Sequence, residues 1–364
     1  MTERLQTIPA AGGDHGGNIE AARRVHRRRS FLDLSINVNP WGPPPAGWLR
    51  LLASLPAVRR YPQPYSRDGR AALAAFFRVS ADRLALGNGA AELIHSLPEI
   101  LPARRAVVFE PTFSEYARAF EQRGKPVARL PLTAAFGIDP VPARQILAPG
   151  DILFICQPNN PTGRRFPEAA LLDLIRLAEA RQAWTLVDES FLWFCGALPE
   201  SSVVRYLDEF PRLLVLNSLT KIGAIPGLRL GLLLAGADIV RSLEAALDPW
   251  NVNRLAQALI PAIIEPKFLA RTRERLAREN RWLAQRLAGV NGLTVYPWEV
   301  NYFLAKVGHP DLNGTEFIRR LGERGILVRD CRNFAGLGPD YFRAAVGLRP
   351  QNRRLLANLL DILK

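Results

Sequence analysis

Cysteine is scarce. The 364-residue chain has three, Cys156, Cys195 and Cys331, odd in number, far apart and without the paired spacing of a metal site. That pattern excludes a disulfide-stapled scaffold and a zinc ribbon, and it suits a reducing compartment. Long hydrophobic runs are missing too. The longest uncharged apolar run, LGLLLAGA from Leu230, falls far short of the roughly 20 residues a bilayer span needs. The opening stretch MTERLQTIPAAGGDHGG has neither the apolar centre nor the cleavage pattern of a secretory signal. We therefore expect a soluble, cytoplasmic protein with no membrane contact and no metal. Several catalytic signatures are absent as well: there is no phosphate-binding P-loop, HExxH, GxSxG or CxxC. SLTK at 218–221 has the SxxK form of a serine hydrolase, but the SDN and KTG that should accompany it occur nowhere.

What is present is ordinary for a folded enzyme-sized protein. Apolar residues make up 48% and charged residues 23%, over a length that holds one large domain and a smaller one. Lys and Arg total 48 against 34 Asp and Glu, a net charge of +14. The basic residues are scattered. The one dense run, RRVHRRR at 23–29, has no interleaved aromatics and no helix-turn-helix, zinc-finger or RNA-binding context. It reads as a solvated basic helix. Anionic small molecules are the next explanation for the charge, since guanidinium forks hold phosphates and carboxylates well; no nucleic-acid partner is expected.

From about residue 70 to 250, helical spacing alternates with short apolar strands. RAALAAFFRV, AAELIHSLPEIL and PEAALLDLIRLAEARQA read as helices; RAVVFE, DILFIC, WTLVDES, RLLVLNS and RLGLLLA read as buried strands. Such alternation predicts an α/β fold with a mostly parallel sheet covered on both faces. After residue 260 the texture changes to a long arginine-rich helix, a strand–helix–strand passage and a final helix. We expect a large domain over 51–255, and a smaller α+β domain formed by 256–364 together with residues 1–50 as an N-terminal arm.

In such sheets, ligands sit beyond the carboxyl ends of the strands. The polar punctuation falls there: GNGAAE (87–92) before a helix, QPNNPTG (157–163) after DILFIC, DES (188–190) after WTLV, and SLTK after LLVLN. In NSLTKIGAIPGLRLG (217–231), Lys221 stands among hydroxyls beside a Pro-Gly turn, with Arg229 eight residues on. GNG, NNPTG, DE and SLTK with PGLRLG, in that order, resemble the fold type I enzymes that use pyridoxal 5′-phosphate.

That resemblance implies roles. Lys221 would hold the cofactor aldehyde covalently and later move a proton. Asp188 would pair with the pyridine nitrogen, and Asn160 would donate to the ring 3′-oxygen. Ser218, Arg229 and the backbone N–H groups of Gly89 and Ala90 would hold the phosphate. Phe113 would stack on the ring. Tyr61 resembles the tyrosine that reaches the phosphate from a neighbouring subunit, which implies a homodimer with the active site at the interface.

Within that superfamily, HGGN (15–18), DLSINVNPWG (33–42), PTFSEY, VDESF, AIPGLRLG, PWNVN (249–253) and YFRAAV look like the L-threonine-O-3-phosphate decarboxylases of cobalamin biosynthesis, over essentially the whole chain. Histidinol-phosphate aminotransferases share the fold and the cofactor core, and a decarboxylase preferring phosphoserine is a close variant. Phe191 stands where aminotransferases of this group carry a tyrosine, as in the decarboxylases. Ile222 and Gly223 depart from the two aromatics usual after the lysine. The resemblance assigns substrate contacts to His15, Gly16, Asn37, Asn160, Arg329 and Arg343.

Overall fold

The computed structural model describes residues 15–364; the first 14, on which part of the expectation of no targeting signal rests, lie outside them. A short strand β1 (Leu32–Asp33) precedes a seven-stranded sheet of β2 (Leu84–Gly87), β3 (Arg105–Glu110), β4 (Val127–Pro131), β5 (Asp151–Cys156), β6 (Trp184–Asp188), β7 (Leu213–Ser218) and β8 (Gly231–Leu234). The order across the sheet is β2-β8-β7-β6-β5-β3-β4, and only the pairings made by β8 are antiparallel. The inner strands are mainly apolar, with polar residues gathered toward their ends, as suits a sheet covered on both faces. Along β5, Ile152 and Phe154 enter one core while Leu153 and Ile155 enter the other. Helix Glu168–Ala180 buries Leu171, Leu174, Ile175 and Ala178, the spacing of one helical face.

The chain runs outward from β3 to β4, then returns to β5 on the far side of β3 and proceeds through β6 to β7. The direction of progress reverses between β3 and β5. Loops leaving those two strands diverge there and open a crevice beyond the carboxyl ends.

A second sheet combines β9 (Leu293–Val295), β10 (Tyr302–Val307), β12 (Arg329–Asp330) and β13 (Tyr341–Ala345), antiparallel in the order β12-β13-β10-β9. Next to it, β1 pairs in parallel with β11 (Ile326–Leu327), and Leu34 O accepts from Ala345 N at 2.8 Å. The segment after His15 is thereby fastened to the C-terminal sheet. The RRVHRRR run lies in helix Ile19–His26 and the turn after it, with Ala22 as that helix's buried residue. Among the described residues no helix is long and apolar enough to cross a membrane.

Candidate active site

A cavity of about 350 Å³ opens at the reversal between β3 and β5. Its walls include Phe113 after β3, Cys156 and Asn160 at and after β5, Asp188 closing β6, Ser218 closing β7, and Lys221 in the short helix that follows. His15, Gly16, Asn37, Arg329 and Arg343 line it from the other side. Residues from both ends of the chain therefore meet the strand ends of the large sheet.

Asp188 is 4% exposed. Its Oδ2 accepts from Tyr116 Oη at 2.6 Å and its Oδ1 from Ser190 N at 2.9 Å. Burial pushes this carboxyl above the usual range, and the bonds from Ser190 and Tyr116 pull the other way. The next residue, Glu189, points into the opposite core, as alternation along an extended chain requires. There it accepts from Ser202 Oγ at 2.5 Å and Val203 N at 2.8 Å. Asn159 and Asn160 divide in the same way. Asn159 is engaged with Pro111 O at 3.0 Å, Thr162 Oγ1 at 3.1 Å and Thr112 Oγ1 at 3.1 Å, and so braces the loop. Asn160 faces the cavity, its Oδ1 accepting from Arg343.

The Lys221 amine has no hydrogen-bond or ion-pair partner among the described residues. Burial, with Arg343 and Arg229 nearby, lowers it to about 8, and Asp188 acts against that. Its helix is held by Asn39, whose N–H donates to Lys221 O at 2.9 Å and whose Nδ2 donates to Ile222 O at 3.0 Å. Ile222 is fully buried in the core, and a Cβ on Gly223 would lie 2.7 Å from Ile263 Cδ1. The two positions that depart from the family pattern thus face the core and not the cavity.

Helix Ala90–Ile100 begins at the cavity, with Gly89 as N-cap at φ 87. The structure amends the expected phosphate donors in one respect. Gly89 N–H is turned to Gly87 O at 2.7 Å, and the lining is supplied by Ala90 and Ala91. Gly89 instead gives room to Arg229: a Cβ there would sit 2.7 Å from the guanidinium. Tyr61 lies outside this cavity, 77% exposed, with its ring 5.1 Å from that of Trp250.

On the far wall, Arg329 and Arg343 are register partners in the β12–β13 ladder and share one face. They are 7% and 6% exposed. Arg329 is steadied by Asn333 Oδ1 at 2.7 Å, and Arg343 donates to Ser35 O at 2.9 Å. No carboxylate pairs with Arg343 among the described residues, and burial lowers its guanidinium to about 10. Its Nε, and Nδ2 of the buried Asn37, have no partner among the described residues. A buried N–H without an acceptor costs about 1–3 kcal/mol, so these donors mark places for a ligand.

Sequence reasoning missed Tyr116, Ser190, Asn39, Ala91 and Glu115. Tyr116 and Glu115 sit inside the PTFSEY motif, where the helical spacing from Phe113 to Tyr116 was the available signal. Asn39 sits inside DLSINVNPWG, but its role depends on contact with the Lys221 helix, 182 positions away.

An unpaired buried amine, a hydrogen-bonded buried carboxylate across from it and a helix N-terminus beside an arginine define a site that fits pyridoxal phosphate on a fold type I frame. The chain belongs to the family described as aminotransferase class I and II, a family of pyridoxal-phosphate-dependent enzymes; the family match covers residues 29–360. It is 37% identical to the threonine-phosphate decarboxylase of Salmonella typhimurium over 356 residues, covering 96% of each chain. It is 33% identical to a histidinol-phosphate aminotransferase of Symbiobacterium thermophilum over 350 residues, covering 94% of each. Its fold matches the L-threonine-O-3-phosphate decarboxylase from Porphyromonas gingivalis with a TM-score of 0.80, at 24% identity, covering 91% of this chain and 99% of that one.

Proposed function

We propose that this chain decarboxylates L-threonine O-3-phosphate, releasing CO₂ and (R)-1-amino-2-propanol O-2-phosphate for cobalamin biosynthesis in the cytoplasm. The observation that carries the reading is the pair of buried guanidiniums facing each other across β12 and β13, beside unpaired donors, in the cavity that holds Lys221. Like charges directly opposite on a sheet are unfavourable. A substrate with two anionic groups relieves that repulsion, and phosphothreonine carries a carboxylate and a phosphate.

When bound, pyridoxal phosphate supplies an electron sink for whichever bond of the substrate's Cα stands perpendicular to its ring. Lys221 would hold the cofactor and return a proton to Cα after CO₂ leaves. Asp188, oriented by Tyr116 and Ser190, would keep a proton on the ring nitrogen. Asn160 would donate to the ring oxygen, and Phe113 would cover the ring. Ser218, Arg229 and the first N–H groups of helix Ala90–Ile100 would hold the phosphate of the cofactor. Arg343 lines the cavity with Lys221 and donates to Asn160, so it would grip the anionic group nearest the reacting carbon. Arg329, toward His15, grips the substrate phosphate. Together they would fix which substituent of the substrate's Cα is held for cleavage. Phe191 brings no hydroxyl to the ring, and the nearby Tyr302 Oη is engaged by Asn159 O at 3.0 Å.

The active unit is a homodimer in this proposal. Trp48, Leu49, Leu52, Leu55, Val58 and Tyr61 are large apolar side chains exposed within positions 48–61, the kind of surface a partner subunit covers. A partner seated there would bring its Tyr61 toward this site.

The test is to incubate the enzyme with phosphothreonine and with phosphoserine, with and without a keto acid, following CO₂ and pyridoxamine phosphate in parallel. CO₂ release from phosphothreonine without a keto acid is expected. Conversion of histidinol phosphate to its keto form with no CO₂ from phosphothreonine would hand the site to the aminotransferase reading.

A further inference from the structure

Glu115 has no part in the cofactor chemistry, yet its carboxylate lies buried in the cavity wall. Both its oxygens are engaged by imidazoles: His15 Nε2 is 3.0 Å from Oε1, and His95 Nε2 is 2.7 Å from Oε2. Arg118 stands 3.5 Å from Oε1. The bond from His15, foremost, holds the Glu115 carboxyl down at about 2, so it is ionised. An ionised carboxylate only accepts, so each imidazole must present N–H at Nε2 and leave Nδ1 facing elsewhere.

His15 needs such an anchor. The strap 15–17 has open space on both sides, because His15 and Gly16 border the catalytic cavity and also a second one of about 100 Å³ lined by His26, Ile318 and Leu327. Packing alone therefore does not fix the His15 ring, whose side chain is 50% exposed. Gly16 lies flat on Ser35, where a Cβ would meet the carbonyl oxygen at 2.5 Å, and that same carbonyl accepts from Arg343. Gly17 N–H donates to Ser35 Oγ at 2.9 Å. The strap is thus in register with Arg343, and on the catalytic side its imidazole meets the Phe113 ring at 6.0 Å and makes its one hydrogen bond among the described residues to Glu115.

We propose that Glu115 is the positioning residue for recognition of the substrate phosphate. It fixes the orientation of His15 so that Nδ1 hydrogen-bonds the substrate phosphate next to Arg329, while Glu115 holds the Nε2 edge of the ring. His95 braces Glu115 from helix Ala90–Ile100, the element that opens toward the cofactor phosphate. This rests on the phosphothreonine reading above.

The experiment measures CO₂ release by the holoenzyme from phosphothreonine and from threonine. Glu115→Gln removes the charge and offers an N–H to one imidazole. KM for phosphothreonine is expected to rise about tenfold to a hundredfold, the loss of one hydrogen bond to a charged group, with a much smaller change in kcat. The preference for phosphothreonine over threonine should fall by the same factor, and the visible spectrum of bound cofactor should persist. His15→Ala should reproduce that loss, and the double variant should lose no more than either single one. An unchanged KM, equal losses on both substrates, or additive losses would overturn the proposal. If Glu115→Gln takes up no cofactor, His15→Gln decides alone: a KM at the wild-type level overturns it. Wild type releasing no CO₂ from phosphothreonine sinks the underlying reading, and this one with it.

Discussion

The two walls of the cavity are built on opposite terms. The wall at the strand ends of the large sheet has its acceptors and amides already paired around the Lys221 amine: Asp188 accepts at both oxygens, and Asn159 braces its loop through both ends of its amide. The wall formed by β12, β13 and residues 15–37 holds two facing arginines and, among the described residues, buried donors without partners: Arg343 Nε and Asn37 Nδ2. The first is preorganised for charge that develops at a fixed place, and needs no rearrangement during reaction. The second carries an electrostatic deficit that an anionic substrate removes. Rate should therefore depend most on the first wall, and ligand-dependent stability on the second.

The largest effects should come from the first wall. Lys221→Ala should abolish detectable turnover, because no other unpaired amine faces the cavity among the described residues. Cofactor should still bind noncovalently through its phosphate, as equilibrium dialysis can check. Asp188→Asn should leave the fold intact and lower kcat by roughly 10²–10⁴-fold, the range of a positioned proton-holding group. Activity within a few-fold of wild type would remove Asp188 from its role.

Next come the arginines. Arg329→Ala and Arg343→Ala should each cost about 2–4 kcal/mol in kcat/KM for phosphothreonine. Arg329→Ala should also lose the preference over plain threonine. Arg343→Ala should let slow transamination appear as pyridoxamine phosphate, since the group nearest Cα is no longer fixed. The contrast between the walls becomes sharper in a melting experiment. Inorganic phosphate should raise the Tm of wild-type holoenzyme by mass action, and either alanine variant should show a smaller shift. Equal shifts in all three would erase the distinction drawn between the walls.

A pH experiment tests how the walls act on each other. Only a neutral amine can capture an aldehyde, and the Lys221 amine proposed for that role is lowered to about 8 by burial and then by Arg343 and Arg229. The rate of pyridoxal phosphate capture by apo-enzyme should rise about tenfold per pH unit below 8 and level off above it. An ordinary lysine would keep gaining to about 10.5. Arg343→Ala should move the midpoint upward, because a cation that opposes protonation is gone.

The first wall was legible in the sequence because each of its groups sits within a few residues of the end of one apolar strand. RAVVFE and DILFIC form β3 and β5 residue for residue; NNPTG begins three residues past the end of β5, and DES and SLTK begin at the last residues of β6 and β7. A strand end fixes where its tail points, so local pattern and tertiary position coincide. The second wall shares no such locality. Arg343 donates to Ser35 across 308 positions, and periodicity carries nothing about that contact. Its residues were reachable through family resemblance, and Glu115, which the resemblance did not name, was reached by neither route. The Gly89 N–H was misjudged for a different reason. A glycine at an N-cap with φ 87 can turn its own amide away from the helix end, and here it does.

The smallest effect concerns the departure at Ile222. Were this side chain part of the substrate pocket, trimming it would alter KM or the choice between phosphothreonine and phosphoserine. It is instead 0% exposed and packed in the core behind the Lys221 helix. Ile222→Val removes one methylene there, and should lower stability by about 0.5–1.5 kcal/mol. The change belongs in the denaturant midpoint, with the slope unchanged. The backbone carbonyl of residue 222 still accepts from Asn39 Nδ2, so the helix that presents Lys221 keeps its tether. Both kcat and KM should stay at wild-type values for both phosphorylated substrates. A shift in substrate preference with no loss of stability would place residue 222 at the cavity after all, and would move the boundary between the two walls.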